Sequence, residues 1–269
     1  DRAEIAAARR SLRRVRANAA AGPDLMAGRH LAALIRCGDP AAVEALAQVY
    51  VRYKRAGVWP SALNECRAQQ VAVRARPIPK GEAGWRVIVV PSLLSRIAGG
   101  ALAAEATRTV AGRLRAADQF AVGVSAGAEV MVLAVRQALE AGQVVAVLDR
   151  TQAYQSADRA EVLDGLVKVA AGQVCPAFAG RYSVPVPIVG LGIKACEGMV
   201  QGDPLAPVGF GAMQAAETLA LREDAALRDL FDTGGARVLS YLDDVVITVG
   251  DTDGLESIVA AGRTARPLA

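Results

Sequence analysis

Two adjacent carboxylates interrupt an apolar stretch near the C-terminal end of the chain. Asp243 and Asp244 follow Tyr241 within the otherwise apolar segment 236–249. Burying a charge without a partner is costly, so core packing does not explain the pair. Two interpretations stay open at this point. Either the pair marks a solvated turn, where Asp is common, or it supplies oxygen ligands to a cation.

A third carboxylate closes a second apolar segment. Asp149 follows the continuous run Val144–Leu148, which is typical of a strand buried on both faces. If this strand lies beside the 236–249 hairpin, Asp149 and Asp243 converge. Such a cluster repels itself unless cations lie between its members. Mg²⁺ prefers oxygen ligands, and two such ions about 3.5–4 Å apart promote phosphoryl transfer. The alternative for Asp149 alone is a helix N-cap or strand-end turn.

A glycine and two prolines define a further segment, Gln201-Gly202-Asp203-Pro204-Leu205-Ala206-Pro207. Gly202 permits close approach of another backbone, and the prolines suit a loop that enters a helix. Taken alone, this segment is a loop-to-helix junction.

The elements that position these residues mix helices and strands without strict alternation, which predicts an α+β fold. A tight turn joins two strands within 236–249, and an irregular hairpin is expected over 181–195. Further strands are expected at 69–76, 86–90 and 144–148, and helices at 2–16, 24–37, 40–55, 92–116, 126–141, 158–171 and 204–226.

Composition bounds the possible functions. The 269 residues are 53% hydrophobic and 22% charged, which suits one large domain or two joined ones and excludes general disorder. One histidine, His30, argues against a His-ligated metal and against His-based acid–base catalysis. The four cysteines lie far apart, which argues against a disulfide framework or zinc site. No apolar run reaches the roughly 18 residues needed to span a membrane.

Charge is unevenly distributed along the chain. Residues 1–120 hold 20 Lys+Arg and 9 Asp+Glu, a net of +11, whereas residues 121–269 hold 11 and 18, a net of −7. This polarity suggests a polyanion-binding surface beside a carboxylate cluster. The alternative is chance plus one solvated helix. That helix, residues 2–16 with six arginines, could also bind nucleic acid or a partner, or be the remnant of a transit segment.

The order of these segments resembles the catalytic motifs of the reverse transcriptase family. Asp149 with Tyr154 five residues later, then QGDPLAP, then YLDD match the order and spacing of the family's palm motifs. QGDPL is typical of non-LTR retrotransposon enzymes, and LDRTQAYQSADR (148–159) is similar to their first catalytic block. The segment from Arg76 through Lys80 to Val87 resembles the family's fingers. The resemblance covers roughly residues 60–250.

The resemblance implies a right-hand polymerase fold with fingers and an antiparallel palm sheet backed by helices. We expect a helical, basic N-terminal region at 1–60, with fingers and palm at 61–269. Because only 25 residues follow YLDD in the sequence, a thumb is expected to be absent or truncated. The implied activity is RNA-directed DNA polymerisation, with RNA template, DNA primer and dNTPs as partners and no membrane.

The resemblance also implies a role for each matching residue. Asp149, Asp243 and Asp244 would be the catalytic ligands of two Mg²⁺ ions, with Mn²⁺ as a substitute. Tyr154 would be a steric gate against the ribose 2′-hydroxyl, and Tyr241 would pack near the primer terminus. The remaining nucleotide contacts are the triphosphate-binding Lys80 and Arg86 and the pocket-lining Gln201 and Gly202. As isolated residues, Tyr154 would be a core aromatic, and Lys80 and Arg86 a solvated loop.

Some positions depart from the family pattern. Gln152 stands where many relatives have Asn, Ala206 replaces Ser or Gly, and Arg150 beside the catalytic Asp is unusual, although it should point to the opposite face of the strand. The short C-terminus favours a second interpretation, a domesticated subunit that binds rRNA and proteins in a ribonucleoprotein such as an organellar ribosome. The compartment would be the nucleus for an active retroelement and the mitochondrion for such a subunit.

Overall fold

The computed structural model describes residues 2–13, 15–37, 39–56, 72–79, 84–150 and 152–264. The fold is mixed α+β, as the sequence predicts. The helices are α1 Arg2–Arg13, α2 Gly28–Arg36, α3 Pro40–Ala56, α4 Leu93–Ala116, α5 Gly127–Glu140, α6 Arg159–Lys168, α7 Cys175–Tyr182, α8 Ala206–Glu223, α9 Arg228–Asp232 and α10 Thr252–Thr264. The strands are β1 Val73–Pro79, β2 Trp85–Pro91, β3 Val144–Asp149, β4 Val186–Val189, β5 Ile193–Ala195, β6 Arg237–Tyr241 and β7 Asp244–Val249.

The chain forms two compact units. Unit 1 contains residues 1–106, 154–159 and 172–206, and unit 2 contains residues 107–153, 160–171 and 207–269. Each unit is built from separated stretches of sequence, so non-local contacts hold each one together. Among the described residues, no helix is both long enough and apolar enough to cross a membrane.

Unit 1 begins with a small helical cluster. The buried side chains of α1, Ala8 and Leu12, pack with Leu31, Ala47 and Val51 from α2 and α3. Spacing of apolar residues every three or four positions gives α1 this single packed side. The outer side of α1 is basic, and its exposed arginines are Arg2, Arg10 and Arg13.

Unit 1 also contains a four-stranded sheet in the order β2-β1-β4-β5. β1 pairs antiparallel with β2, and β4 pairs antiparallel with β5, whereas β1 and β4 run parallel. One face of this sheet is apolar, since Val73, Val89 and Val186 are buried. Burial of these branched side chains accounts for the strand conformation of short segments that are rich in proline.

Unit 2 is built on a three-stranded antiparallel sheet in the order β3-β7-β6. One face packs against α5, where Leu239 and Val246 contact Met131. The other face packs against α9 and α10, where Ile247 and Ile258 lie in one apolar cluster. Helices on both faces explain why β7 is apolar along nearly its whole length.

Among the residues that the structure describes, the sequence analysis missed the helices α7, α9 and α10. The irregular hairpin expected over 181–195 is partly wrong, because Arg181 and Tyr182 end α7 and the hairpin itself occupies Val186–Ala195. The strand expected at 69–76 begins at Val73 among the described residues and extends to Pro79.

Candidate active site

The pairing of β3 with β7 places two carboxylates directly opposite each other. β3 lies directly beside β7, and Asp149 is the cross-strand partner of Asp244, which in turn faces Tyr241 on β6. Directly opposed side chains lie on the same face with their Cβ atoms roughly 4.5–5.5 Å apart. The condition set by the sequence analysis, that the apolar strand lies beside the hairpin, is met, and the residue directly opposite Asp149 is Asp244 and not Asp243.

A strained two-residue turn places the third carboxylate. Leu242 and Asp243 connect β6 to β7, and Leu242 has a φ of 54°. A positive φ at the first of two turn residues belongs to the tight turns that match strand twist. Such a conformation is uncommon outside glycine and is retained where the surroundings enforce it. The turn holds Asp243 at the tip, one residue from Asp244.

Burial changes abruptly at this end of the sheet. Val245–Val249 of β7 are buried, whereas Asp244 and Asp149 are exposed and Asp243 is half-buried. Buried β7 thus supplies a rigid base, and its end presents carboxylates to solvent. This placement avoids the cost of burying unpaired charge. β3 is half-buried to exposed, with Val147 73% exposed, so the expectation that Val144–Leu148 is buried on both faces is wrong, because this strand lies at the edge of the sheet.

The carboxylates do not yet form an assembled metal centre. Within the described ranges, no group of three His, Cys, Asp or Glu side chains is gathered closely enough to hold a metal ion. Like charges directly opposite one another repel, which favours side-chain positions that separate them. The donors are nevertheless all carboxylate oxygens, the chemistry that Mg²⁺ prefers. Asp149, Asp243 and Asp244 therefore fit a hard divalent cation in donor type and in backbone placement.

Arg150 does not neutralise these carboxylates. Its guanidinium donates to the Glu217 carboxylate on α8 at 2.8 Å. Burial lowers the pKa of Arg150, and the nearby Glu161 carboxylate opposes that shift. This bond directs the Arg150 side chain towards α8.

The Gln201–Gly202 loop belongs to unit 1 and lies against β2. The backbone N–H of Val89 donates to the carbonyl oxygen of Gln201 at 3.1 Å. Gly202 has a φ of 108°, and a Cβ there would stand 2.1 Å from the Val89 carbonyl oxygen. The close backbone approach predicted for Gly202 is confirmed, with β2 as the neighbouring segment.

Tyr154 also belongs to unit 1. Its side chain is half-buried, and its carbonyl oxygen accepts a hydrogen bond from the backbone N–H of Met199 at 2.6 Å. Nearby, the Arg159 guanidinium donates to main-chain carbonyl oxygens of four residues, which are Tyr182, Ala195, Glu197 and Gly198. These bonds join the Tyr154–Arg159 segment to the strand that leads into the Gln201–Gly202 loop.

The other predicted site residues divide between the units. Lys80 lies outside the described residues. Arg86 lies in β2, opposite Ile78 of β1. Tyr241 is half-buried and packs beside the apolar cluster that contains Phe120 and Leu239. Thus unit 2 contains the carboxylates and Tyr241, and unit 1 contains Tyr154, Arg86, Gln201 and Gly202.

The sequence analysis missed a cationic sheet face in unit 1. Arg74 and Arg76 are exposed on the face of β1 opposite to buried Val73. Strand register extends this face across the sheet, because Arg74 pairs with Val189, and the next residue on that face, Pro187, pairs with Lys194. Lys194 is exposed as well. Alternating arginines in the segment VRAR were the sequence signal for this face.

A buried ionic network was also missed. Arg181 of α7 pairs with Asp203 of the QGDPLAP segment, and each side chain is only 3% exposed. The Tyr182 hydroxyl donates to the Asp203 carboxylate at 2.8 Å. Burial and the neighbouring Asp203 charge raise the pKa of Tyr182 well above its ordinary value.

No family model matches the chain, and none of the curated proteins matches it. Among solved structures, it is similar to apo telomerase from Candida tropicalis truncated from the C-terminal domain, with 14% identity, a TM-score of 0.49, and coverage of 72% of this chain and 46% of that one. It is also similar to telomerase from Candida albicans in complex with a TWJ fragment of telomeric RNA, with 13% identity and a TM-score of 0.47. That match covers 75% of this chain and 40% of the telomerase chain. The corresponding complex from Candida tropicalis shows 12% identity and a TM-score of 0.49, and the match covers 71% of this chain and 38% of the telomerase chain.

The chain therefore spans less than half the length of each of these telomerase chains.

Proposed function

We propose that this chain is a reverse transcriptase-like nucleotidyltransferase, the RNA-directed DNA polymerase core of a retroelement of the non-LTR type. The observation that carries the proposal is the register of β3, which sets Asp149 directly opposite Asp244 beside the turn that holds Asp243. A solvated turn alone gives no reason for a distant strand to end on a carboxylate at the same place.

In this proposal Asp149, Asp243 and Asp244 hold two Mg²⁺ ions, or Mn²⁺ in their place. When bound, the ions would supply positive charge to the attacking and leaving oxygens of a phosphoryl transfer. The protein supplies the fixed base, since the buried strand β7 and the tight turn at Leu242 restrict where the carboxylates stand.

The nucleotide contacts belong to unit 1. Tyr154 is proposed to exclude ribonucleotides, Gln201 and Gly202 to line the dNTP pocket, and Lys80 and Arg86 to bind the triphosphate. The absence of a side chain at Gly202 lets the loop lie against β2. Tyr241 of unit 2 is proposed to contact the primer terminus.

The cationic sheet face supports binding of a nucleic-acid template. Arg74, Arg76 and Lys194 are exposed on it together with the apolar side chains of Ile78 and Val189. Cations that contact phosphates provide affinity without sequence readout, and that affinity falls steeply with salt. The proposal therefore assigns the RNA template backbone to this face.

The test is primer extension on an RNA template with Mg²⁺ and dNTPs. Wild-type protein should extend the primer, and Asp243→Asn and Asp149→Asn should each abolish extension without loss of folding. Asp253→Asn is the matched control, because Asp253 is an exposed aspartate at the start of α10 in the same unit. Extension that survives Asp243→Asn, or a wild type without activity where a control enzyme works, would refute the proposal.

A second candidate function is RNA binding as a structural subunit of a ribonucleoprotein, with rRNA and proteins as partners. The observation that favours it is the cationic sheet face of unit 1, on which Arg74, Arg76 and Lys194 are exposed, because binding of RNA phosphates by such a face needs no carboxylate cluster. Under this candidate, protein with all three carboxylates replaced by amides retains its function in the particle. The two candidates are separated by assaying RNA binding and primer extension on that same variant.

A further inference from the structure

The Gln201–Gly202 loop is held at both ends by one buried polar network. Before the loop, the Val200 N–H donates to the Tyr182 hydroxyl oxygen at 3.2 Å. After it, the Leu205 N–H donates to Oδ1 of Asp203 at 3.0 Å. Tyr182 and Asp203 are themselves joined by a hydrogen bond of 2.8 Å, so the two ends of the loop are tied to a single pair of side chains.

The network is anchored in α7. Arg181 pairs with Asp203, and the Tyr182 ring packs on Phe178 with ring centroids 4.7 Å apart. The Arg159 guanidinium lies 5.3 Å from the centre of the same ring. Full burial of a charged pair is a costly way to obtain stability alone, because apolar residues of similar volume do as well or better. A directional arrangement, by contrast, fixes where the attached backbone lies.

We propose that Arg181, Tyr182 and Asp203 are positioning residues for the candidate nucleotide-binding loop. They act through Val200 and Leu205 and hold Gln201 against β2, where its carbonyl oxygen accepts the Val89 N–H. The proposal rests on the proposed function only where it concerns nucleotide; the positioning of the loop is independent of it.

Tyr182→Phe tests this inference. The variant keeps the ring but removes the hydroxyl that Val200 and Asp203 share. The Val89 N–H donates to the Gln201 carbonyl oxygen of the loop. Its hydrogen exchange should therefore accelerate about tenfold, as expected for loss of one or two hydrogen bonds that hold the loop. If primer extension is active, KM for dNTP should rise by a similar factor while kcat changes less than about twofold, since the loop contributes binding rather than reacting groups.

Ser95→Ala is the matched control, because Ser95 is also a buried hydroxyl of unit 1 and accepts a hydrogen bond from Ser92 at 2.8 Å. It should leave Val89 exchange unchanged. Equal exchange of Val89 in Tyr182→Phe, Ser95→Ala and wild type would overturn the proposal, as would equal acceleration in both variants.

Asp203→Asn provides a second variant if Tyr182→Phe does not fold, since it keeps the shape of the side chain while removing the charge that faces Arg181. It should also accelerate Val89 exchange, and failure to do so would overturn the proposal. A wild type that extends no primer, combined with faster Val89 exchange in these variants, refutes the polymerase function while the positioning role stands.

Discussion

The opposed aspartates predict a measurable conflict between stability and function. Asp149 and Asp244 face each other across β3 and β7, and both are exposed. Two unit charges about 5 Å apart in water repel by about 0.8 kcal/mol, and screening at 0.15 M salt reduces this to about 0.4 kcal/mol. Without divalent cations, Asp244→Asn should therefore stabilise the protein by about that amount, and more at low salt.

The assay is urea unfolding of wild type, Asp149→Asn, Asp244→Asn and the double variant. The coupling energy of the double-mutant cycle reports the repulsion between the two side chains alone. Asp253→Asn is the control variant, because Asp253 is an exposed aspartate in a helix and so has no cross-strand partner.

Added Mg²⁺ should reverse the order. A ligand that binds only the folded state stabilises it by RT ln(1 + [L]/Kd), which is about 1.4 kcal/mol at ten times Kd. Wild type should gain this stability, and variants that lack Asp149 or Asp244 should not. A cycle without repulsive coupling, or an equal response to Mg²⁺ in wild type and variants, would refute the reasoning for this pair.

Three further predictions concern packing, pH and nucleotide choice. Gly165→Ala should lower the free energy of unfolding by about 1–3 kcal/mol through overpacking, because the new Cβ would lie 2.7 Å from the Met213 backbone. The control is Gly112→Ala, which has open space around its Cβ and should not lower stability in urea unfolding. Burial raises the pKa of Tyr182, so at a pH above the unfolded pKa of about 10 unfolding releases a proton. The urea midpoint should therefore fall as the pH rises above about 10, and it should fall less steeply in Tyr182→Phe. Equal slopes in wild type and Tyr182→Phe would contradict this prediction. Tyr154→Ala should raise rNTP incorporation in primer extension, and an unchanged dNTP/rNTP ratio would remove Tyr154 from the proposed site.

The central sheet of unit 2 was predictable because its pattern is local. The run Val144–Leu148 and the segment 236–249 are apolar enough to indicate strands without knowledge of their neighbours. The pairing of β3 with β7 stayed a condition in the sequence analysis, since no local pattern specifies which strands meet.

The missed helices had weaker but readable signals. α7 is eight residues long and contains proline and glycine, so its short apolar pattern resembled a turn, although Pro176 suits a first helical turn. α10 begins after Asp251, whose side chain accepts the Gly254 N–H at 2.8 Å. That cap, followed by Leu255 and Ile258 on one side, is a recognisable helix start.

The buried network could not be predicted because its charge pair joins separate segments. Asp203 was noted in the loop motif, but nothing in the motif indicates that Arg181 lies against it. Short polar side chains in a glycine- and proline-containing segment are normally solvated. Only the packing of α7 beneath the loop makes Asp203 an internal anchor.

The contacts of Arg159 have a consequence for how the sequence can drift. Its guanidinium binds carbonyl oxygens of Tyr182, Ala195, Glu197 and Gly198, and every amino acid carries that oxygen. Descendants can therefore exchange the side chains at 195 and 197 without weakening this junction, whereas lysine at 159 would lack the planar fork that reaches several acceptors at once. Divergence around an invariant arginine is the pattern expected among relatives of this chain.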